Sequence, residues 1–330
     1  KGSGAIQLNP LLPLEVIYKE DHGSGCVGNL WNMHHKSFAK FISEFKPKIV
    51  LEIGGLHGIL SKFYCEYDQK IDWNIIEPNP SPIEGVKANF IKGFFNENFK
   101  IEKDVDTVIH SHVLEHVYDP NTFLSNIVDF LSEGQLLLFS VPNIESMIKR
   151  KYSNALNFEH TFYLTEIYTK YLLNKNNFRI LKTKYFKDDH SIFYACVRDS
   201  NVEKMSLPKE LFQYNKKLFT DYIDYFKKII AEMNLKLKNI KNSSKLYLFG
   251  AHVFSQYLIS YGLDTSRIEC ILDNDINKHG KRLYGTNLRV YSPKIIKDIS
   301  DPIIILQAGA YNEEIKEDIY RNINSGAIYI

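Results

Sequence analysis

The chain of 330 residues lacks the usual cysteine signatures. Its four cysteines, Cys26, Cys65, Cys196 and Cys270, include no C-x-x-C pair. That argues against a structural zinc site and, in a chain this long, against a disulfide scaffold. No apolar run approaches about 18 residues, so no membrane-spanning helix is expected. No secretory leader is visible, and a reducing cytoplasm is the expected location. Charge of one sign is missing as well. The 41 Lys+Arg against 39 Asp+Glu leave a formal charge of +2, which predicts no broad nucleic-acid footprint. No fixed-period repeat and no Gly/Ser linker break the chain.

What is present is alternation. "KIVLEIG", "DWNIIEP", "KANFIKGFF", "VDTVIHSH" and "GQLLLFSVPN" read as five strands, with "ILSKFYCEY" and "PNTFLSNIVDFL" as helices between them. Continuous apolar strands alternating with helices predict a mostly parallel sheet covered on both faces. "FRILKTKYF" and "SIFYACVRD" flank a polar "KDDH" and predict an antiparallel hairpin at one sheet edge. "GNLWNMHHKSFAKFISEF" precedes all of this with helical spacing. The alternation resumes at "KLYLFGA" and runs through "IECILDND" and "PIIILQAG" to "AIYI". The expected organisation is an α/β domain over residues 5–200, a helical connector over 201–244 and a smaller α/β domain over 245–330.

The first strand ends in "VLEIGGLHG", with Gly54, Gly55 and Gly58 where strand turns into helix. Glycines there permit positive φ and close approach of a ligand to bare main chain. A dinucleotide site would read G-x-G-x-x-G. Here the spacing is Glu52-x-Gly54-x-x-x-Gly58, a looser turn suited to a ligand with no pyrophosphate. Glu77 closes the second strand, where an acid can bind both ribose hydroxyls. Together the two features describe an adenosine site. "GAHVFS" (Gly250 to Ser255) lacks the later glycines of a dinucleotide turn, so a bound NAD and a dehydrogenase activity are disfavoured.

These features resemble the S-adenosylmethionine site of class I methyltransferases. "HSHVLEHVYDP" (His110 to Pro120) is similar to the segment after their fourth strand and "LLFSVPN" to their fifth strand. The resemblance implies a Rossmann-like methyltransferase domain with a mostly parallel seven-stranded sheet and a smaller Rossmann-like C-terminal domain. It implies that Glu52, Gly54, Gly55, Gly58, Glu77, Pro78, Ser111, His112 and Val113 hold the cofactor. His116 is expected in the following turn, near the mouth of the active site. His110, His112 and His116 invite a metal reading, since 110 and 112 would share a strand face. Glu115 should point away from His116 on a helix, so no metal is assigned.

"NFEHTFYLTE" (Asn157 to Glu166) and the C-terminal segments "ILDNDINKHGKRLYGTNLRVYSP" and "IIILQAGAYNEEI" narrow the resemblance to bacterial nucleotide-sugar C-methyltransferases. It covers roughly residues 30–330. It implies His160 as general base, a role suited to an imidazole, with Glu159 supporting it. It also implies a sugar nucleotide held with His116, Asn143, Tyr163 and His190, lying between the domains. Lys149, Arg150 and Lys151 are either phosphate contacts or a solvated charge run. Three departures stand out. The family's four-cysteine zinc module has no counterpart in this sequence, Asn157 replaces a tyrosine before the Glu-His pair, and His57 replaces an acid. A phenol would stabilise the enolate that C-methylation needs, so its absence tips the reading towards O-methylation of a sugar hydroxyl. C-methylation of a 4-keto deoxysugar is the alternative, and a non-catalytic nucleotide-sugar binding protein a further one. Assembly into an oligomer is left open.

Overall fold

A computed structural model describes residues 3–13, 28–157 and 159–330. Cys26 lies outside the described residues. Two compact units emerge, one of residues 1–146 with 158–215, the other of 147–157 with 216–330.

The first unit is built on a seven-stranded sheet. Its strands are β2 (Ile49–Ile53), β3 (Asp72–Glu77), β4 (Asn89–Lys92), β5 (Thr107–Ser111), β6 (Leu136–Pro142), β8 (Phe178–Phe186) and β9 (Ser191–Arg198). A short β1 (Ile6–Gln7) pairs outside it with β7 (Phe162–Tyr163). The sheet order is β4-β3-β2-β5-β6-β9-β8. Neighbours from β4 to β6 are parallel, and the β8–β9 hairpin joins β6 antiparallel at the edge, as the polar "KDDH" break predicts. The order reverses at β2, so the carboxyl ends of β2 and β5 flank the crevice where such sheets take ligands. Register fixes those ends level: Ile53 faces both Ile76 and His110, and Ser111 faces Ser140.

Continuous apolar strands bury both faces. Leu51, Val108, Leu137, Phe139 and Tyr194 pack with Leu124 and Ile127 from the helix Pro120–Phe130. That helix starts where the sequence says it should. Asp119 caps it by accepting the Asn121 and Thr122 N–H groups at 2.9 and 3.1 Å, with Pro120 at the first position. The helix Asn29–Ser43 buries Leu30, His34, Phe38, Phe41 and Ile42 at a three-to-four-residue spacing.

The second unit carries five parallel strands, β10 (Leu246–Phe249), β11 (Ile268–Leu272), β12 (Val290–Tyr291), β13 (Ile303–Ile305) and β14 (Ile328–Tyr329), in the order β12-β11-β10-β13-β14. The helix Leu211–Asn239 covers one face with Ile230, Met233 and Leu237. Residues 147–157 belong with this unit although they follow β6 in sequence. Ser153 Oγ donates to the Gln307 carbonyl at 2.5 Å and Tyr222 donates to the Tyr152 carbonyl at 2.6 Å. Lys151 rests over the rings of Tyr222 and Tyr225 at 6.0 and 5.7 Å, so at least this member of the basic run is packed rather than purely solvated. At the end of β11, Asp273 Oδ2 accepts the Ala251 N–H at 2.7 Å, holding the turn after β10.

Candidate active site

Gly54 and Gly58 adopt φ of 76° and 70°, the left-handed region open to glycine at little cost. A Cβ on Gly54 would lie 2.8 Å from Val113 Cγ2, and one on Gly58 2.6 Å from Val86 Cγ1. The turn is therefore both conformationally and sterically reserved for glycine. Glu77 stands opposite. Its Oε2 accepts the Leu56 N–H at 3.2 Å and its Oε1 the Asn79 N–H at 3.0 Å. Each oxygen retains a lone pair, which suits a vicinal diol. Pro78 begins the loop that crosses the turn. Ser81 N–H donates to the Leu56 carbonyl at 2.9 Å, and Ile83 N–H to that of His57 at 3.2 Å. The His57 Nδ1 lies 2.5 Å from the Ser81 carbonyl and so carries the donated hydrogen. The residue that breaks the family pattern is a strut between turn and loop.

Glu52 was expected to face the cofactor; the structure puts it beneath the turn. Trp73 Nε1–H donates to Glu52 Oε2 at 2.7 Å, and a Cβ on Gly55 would meet Glu52 Cδ at 2.8 Å. Burial pushes the Glu52 carboxyl up to about 7, the Trp73 bond opposes this, and Glu77 adds to it. Glu52 supports the glycine turn from below.

The segment after β5 departs from expectation. Residues 113–117 form a turn, the setting expected for His116, and this turn takes in Glu115, expected on a helix; His116 N–H donates to the Val113 carbonyl at 2.9 Å. Glu115 and His116 therefore converge instead of diverging, and His160 joins them. One ligand atom from each of the three lies within 4.8 Å of the others. Glu115 is 3% exposed, and its Oε1 lies 3.1 Å from His112 Nδ1. Burial would raise its carboxyl, but His112, His116 and His160 outweigh that and hold it at about 2. Burial, followed by His116, drives His160 down to about 3 against the pull of Glu115, so its imidazole is neutral. His116 Nδ1 donates to the Glu159 carbonyl at 3.1 Å. Glu115 thus offers His160 a carboxylate within ligand reach that the sequence pattern did not assign. Tyr163 is buried with its ring 6.3 Å from that of His160. His160, Glu115 and Tyr163 line one small cavity with Pro142 and Ile144.

The expected shared face of His110 and His112 is absent. His110 is fully buried in the core, stacked 4.8 Å from Phe139, and burial pushes it down to about 3. His112 lies just beyond the strand at φ 55°. It is held there by its N–H to the Ser140 carbonyl at 2.9 Å, by Nε2 at 2.9 Å from Ser191 Oγ, and by Nδ1 at 3.1 Å from Glu115 Oε1. Ser111 Oγ sits 2.9 Å from Ser140 Oγ.

His190 was grouped with the sugar contacts. Its ring sits in an aromatic nest with Trp31, His34 and His112, at centroid distances of 5.1, 5.4 and 6.1 Å. Burial, followed by His112, lowers it to about 3. Asn143 likewise serves the scaffold, since its amide donates to the Asp188 carbonyl at 2.9 Å and its N–H to that of His190 at 2.9 Å. Trp31 and His34 were missed by sequence reading. The spacing of Trp31, His34 and His35 on one helix face was the available signal.

Similarity to known proteins falls in two stretches. Residues 34–183 match the family model of a methyltransferase domain. Residues 199–330 match that of a C-methyltransferase C-terminal domain. No curated protein matches the chain. Among solved structures, the plantazolicin methyltransferase BpumL in complex with a monoazolic desmethylPZN analog and SAH is 14% identical over 51% of this chain and 85% of its own, at a TM-score of 0.42. Magnesium protoporphyrin IX methyltransferase (ChlM) from Synechocystis PCC 6803, with bound SAH, is 17% identical over 54% and 91%, at 0.41. An O-methyltransferase family protein from Burkholderia thailandensis is 8% identical over 51% and 56%, at 0.41. The chain thus matches a methyltransferase domain over residues 34–183, on a Rossmann-like sheet that ends in the glycine turn and Glu77, and a C-methyltransferase C-terminal domain over residues 199–330.

Proposed function

We propose that the chain methylates a hydroxyl of a nucleotide-activated sugar, with His160 activating the acceptor oxygen. The observation that carries this reading is the convergence of Glu115, His116 and His160. They gather beside the turn where Val113 packs on Gly54. Glu77 and the Gly54–Gly58 backbone would hold the ribose and adenosine of S-adenosylmethionine. When bound, the cofactor supplies an electrophilic methyl on a sulfonium. The task left to the protein is alignment and handling of the acceptor proton. The sugar-nucleotide acceptor is supported by the Glu159-His160 motif and by the resemblance of the C-terminal segments to those of nucleotide-sugar C-methyltransferases.

His160 on its own is a weak base. A group held near 3 is poorly matched to taking a proton at neutral pH, so its role is one of activation within the cluster. C-methylation of a 4-keto deoxysugar nucleotide is the second reading, favoured by the description of the C-terminal family.

The test pairs His160→Ala with a thermal-shift panel of sugar nucleotides in the presence of S-adenosylhomocysteine. A stabilising sugar nucleotide identifies the acceptor. His160→Ala should then lose turnover while keeping cofactor affinity, and near-normal turnover would remove His160 from the reaction. The carbon shift of the new methyl group separates O- from C-methylation.

A further inference from the structure

We infer that Glu115, His116 and His160 form a binding site for one divalent first-row transition-metal cation. For its role in acceptor activation this rests on the function proposed above, but the site itself does not depend on it.

Glu115 supplies the first argument. A carboxylate this buried is costly unless paired or coordinated to a metal. Among the described residues the groups turned towards it are imidazoles: His112 Nδ1 at 3.1 Å, and the nearest ring nitrogens of His116 and His160 within 4.8 Å. Two imidazoles and one carboxylate are a donor set for zinc, iron, cobalt or manganese rather than for calcium or magnesium.

The supporting contacts also fit. Nδ1 of His116 is committed to the Glu159 carbonyl, which leaves the Nε2 lone pair as the ligand, in the way metal-bound histidines are commonly held by a backbone acceptor. The Glu115 carbonyl accepts the Thr161 N–H at 2.8 Å, tying the 113–117 turn to the segment that carries His160. Donors around a tetrahedral cation stand about 3.4 Å apart, so small side-chain rotations close the set. Three protein ligands leave a position open for an acceptor oxygen, whose proton a cation makes easier to lose to solvent as the oxygen takes the sulfonium methyl and S-adenosylhomocysteine leaves.

The second histidine group, His34, His112 and His190, is a poorer candidate. It has no carboxylate, and His112 Nε2 and His190 Nδ1 share the hydroxyl of Ser191 at 2.9 and 2.6 Å.

The test uses the full chain, stripped with chelator and titrated with Co²⁺ by visible absorbance and with Zn²⁺ by calorimetry, no acceptor being required. Wild type should take up one equivalent, with the ligand-field bands of a nitrogen-oxygen site. His116→Ala and His160→Asn should each weaken binding at least tenfold, as should Glu115→Gln if it folds, while a cooperative melt and S-adenosylmethionine binding persist. His34→Ala should leave metal affinity unchanged. No stoichiometric uptake by wild type, equal uptake by the His116→Ala and His160→Asn variants, or loss with His34→Ala instead would each overturn the site. Metal uptake without methylation of any sugar nucleotide would instead refute the substrate reading and leave the site standing. Undiminished sugar methylation by the stripped protein would refute the cation's part in activation.

Discussion

The backbone N–H of Leu56 donates to Glu77 Oε2 at 3.2 Å, so the acid that ends the second strand also clamps the turn that ends the first. Glu77→Ala should therefore lose cofactor affinity by tenfold or more and also cost about 1–2 kcal/mol of stability, as two backbone donors lose their acceptor. Glu77→Gln retains one acceptor oxygen and should fall between. Calorimetry with S-adenosylmethionine reads the first effect and urea unfolding the second. If only acceptor binding suffered, the cofactor assignment of Glu77 would fail.

Gly58→Ala should be more damaging than Gly134→Ala, although both glycines have positive φ, 70° and 82°. An alanine at either site pays about 1–2 kcal/mol for left-handed backbone. At Gly134 nothing lies within 4 Å of the added methyl, whereas at Gly58 it meets Val86 at 2.6 Å. Denaturant midpoints of the two variants should differ accordingly, and only Gly58→Ala should also weaken cofactor binding.

Glu52 predicts a pH dependence of stability. Its carboxyl is raised from the ordinary 4.5 to about 7 in the folded chain, so the folded state binds the proton more tightly than the unfolded one. The stabilisation this provides is complete below about pH 4.5 and is lost as pH rises through about 7, with a magnitude on the order of 3 kcal/mol. Glu52→Gln keeps an acceptor for Trp73 Nε1–H and should flatten that part of the curve, leaving the variant at least as stable as wild type at pH 8. Urea unfolding at several pH values between 5 and 8 checks this. A wild-type profile that rises over that interval, with Glu52→Gln showing the same rise, would contradict it.

His57→Ala should remove about 0.5–1.5 kcal/mol and loosen the loop that begins at Pro78. Amide exchange at Ser81 and Ile83, which donate to Leu56 and His57, should quicken more than exchange within the sheet. Cofactor affinity should fall only a few-fold, since Glu77 stays in place.

The sheet was legible in the sequence because its strands are unbroken apolar runs, and Glu77 because a strand end can be counted to within a residue. The hairpin was legible from its polar break. What escaped was direction. The run "VLEHV" carries apolar residues at spacings compatible with a helix, and only the packing of Val113 on Gly54 and the Thr161 bond to the Glu115 carbonyl make it a turn. That one difference brings Glu115 to His160, a residue 45 positions away in the sequence, and no local pattern encodes such a meeting. His34 escaped for the same reason: its partners His112 and His190 arrive from the ends of two different strands.

Asp273 repeats in the second unit what Glu77 does in the first, accepting the Ala251 N–H from the turn after β10 at 2.7 Å. In both units an acid at a strand end already holds the neighbouring turn in shape. Around Gly58 the loop adds the Ser81, Ile83 and His57 bonds. Ordering of this backbone is thus complete when the chain folds, and little conformational entropy is left to lose on cofactor capture. Binding at this turn should accordingly resemble docking onto a rigid surface, fast and with a small unfavourable entropy, rather than a coupled folding event.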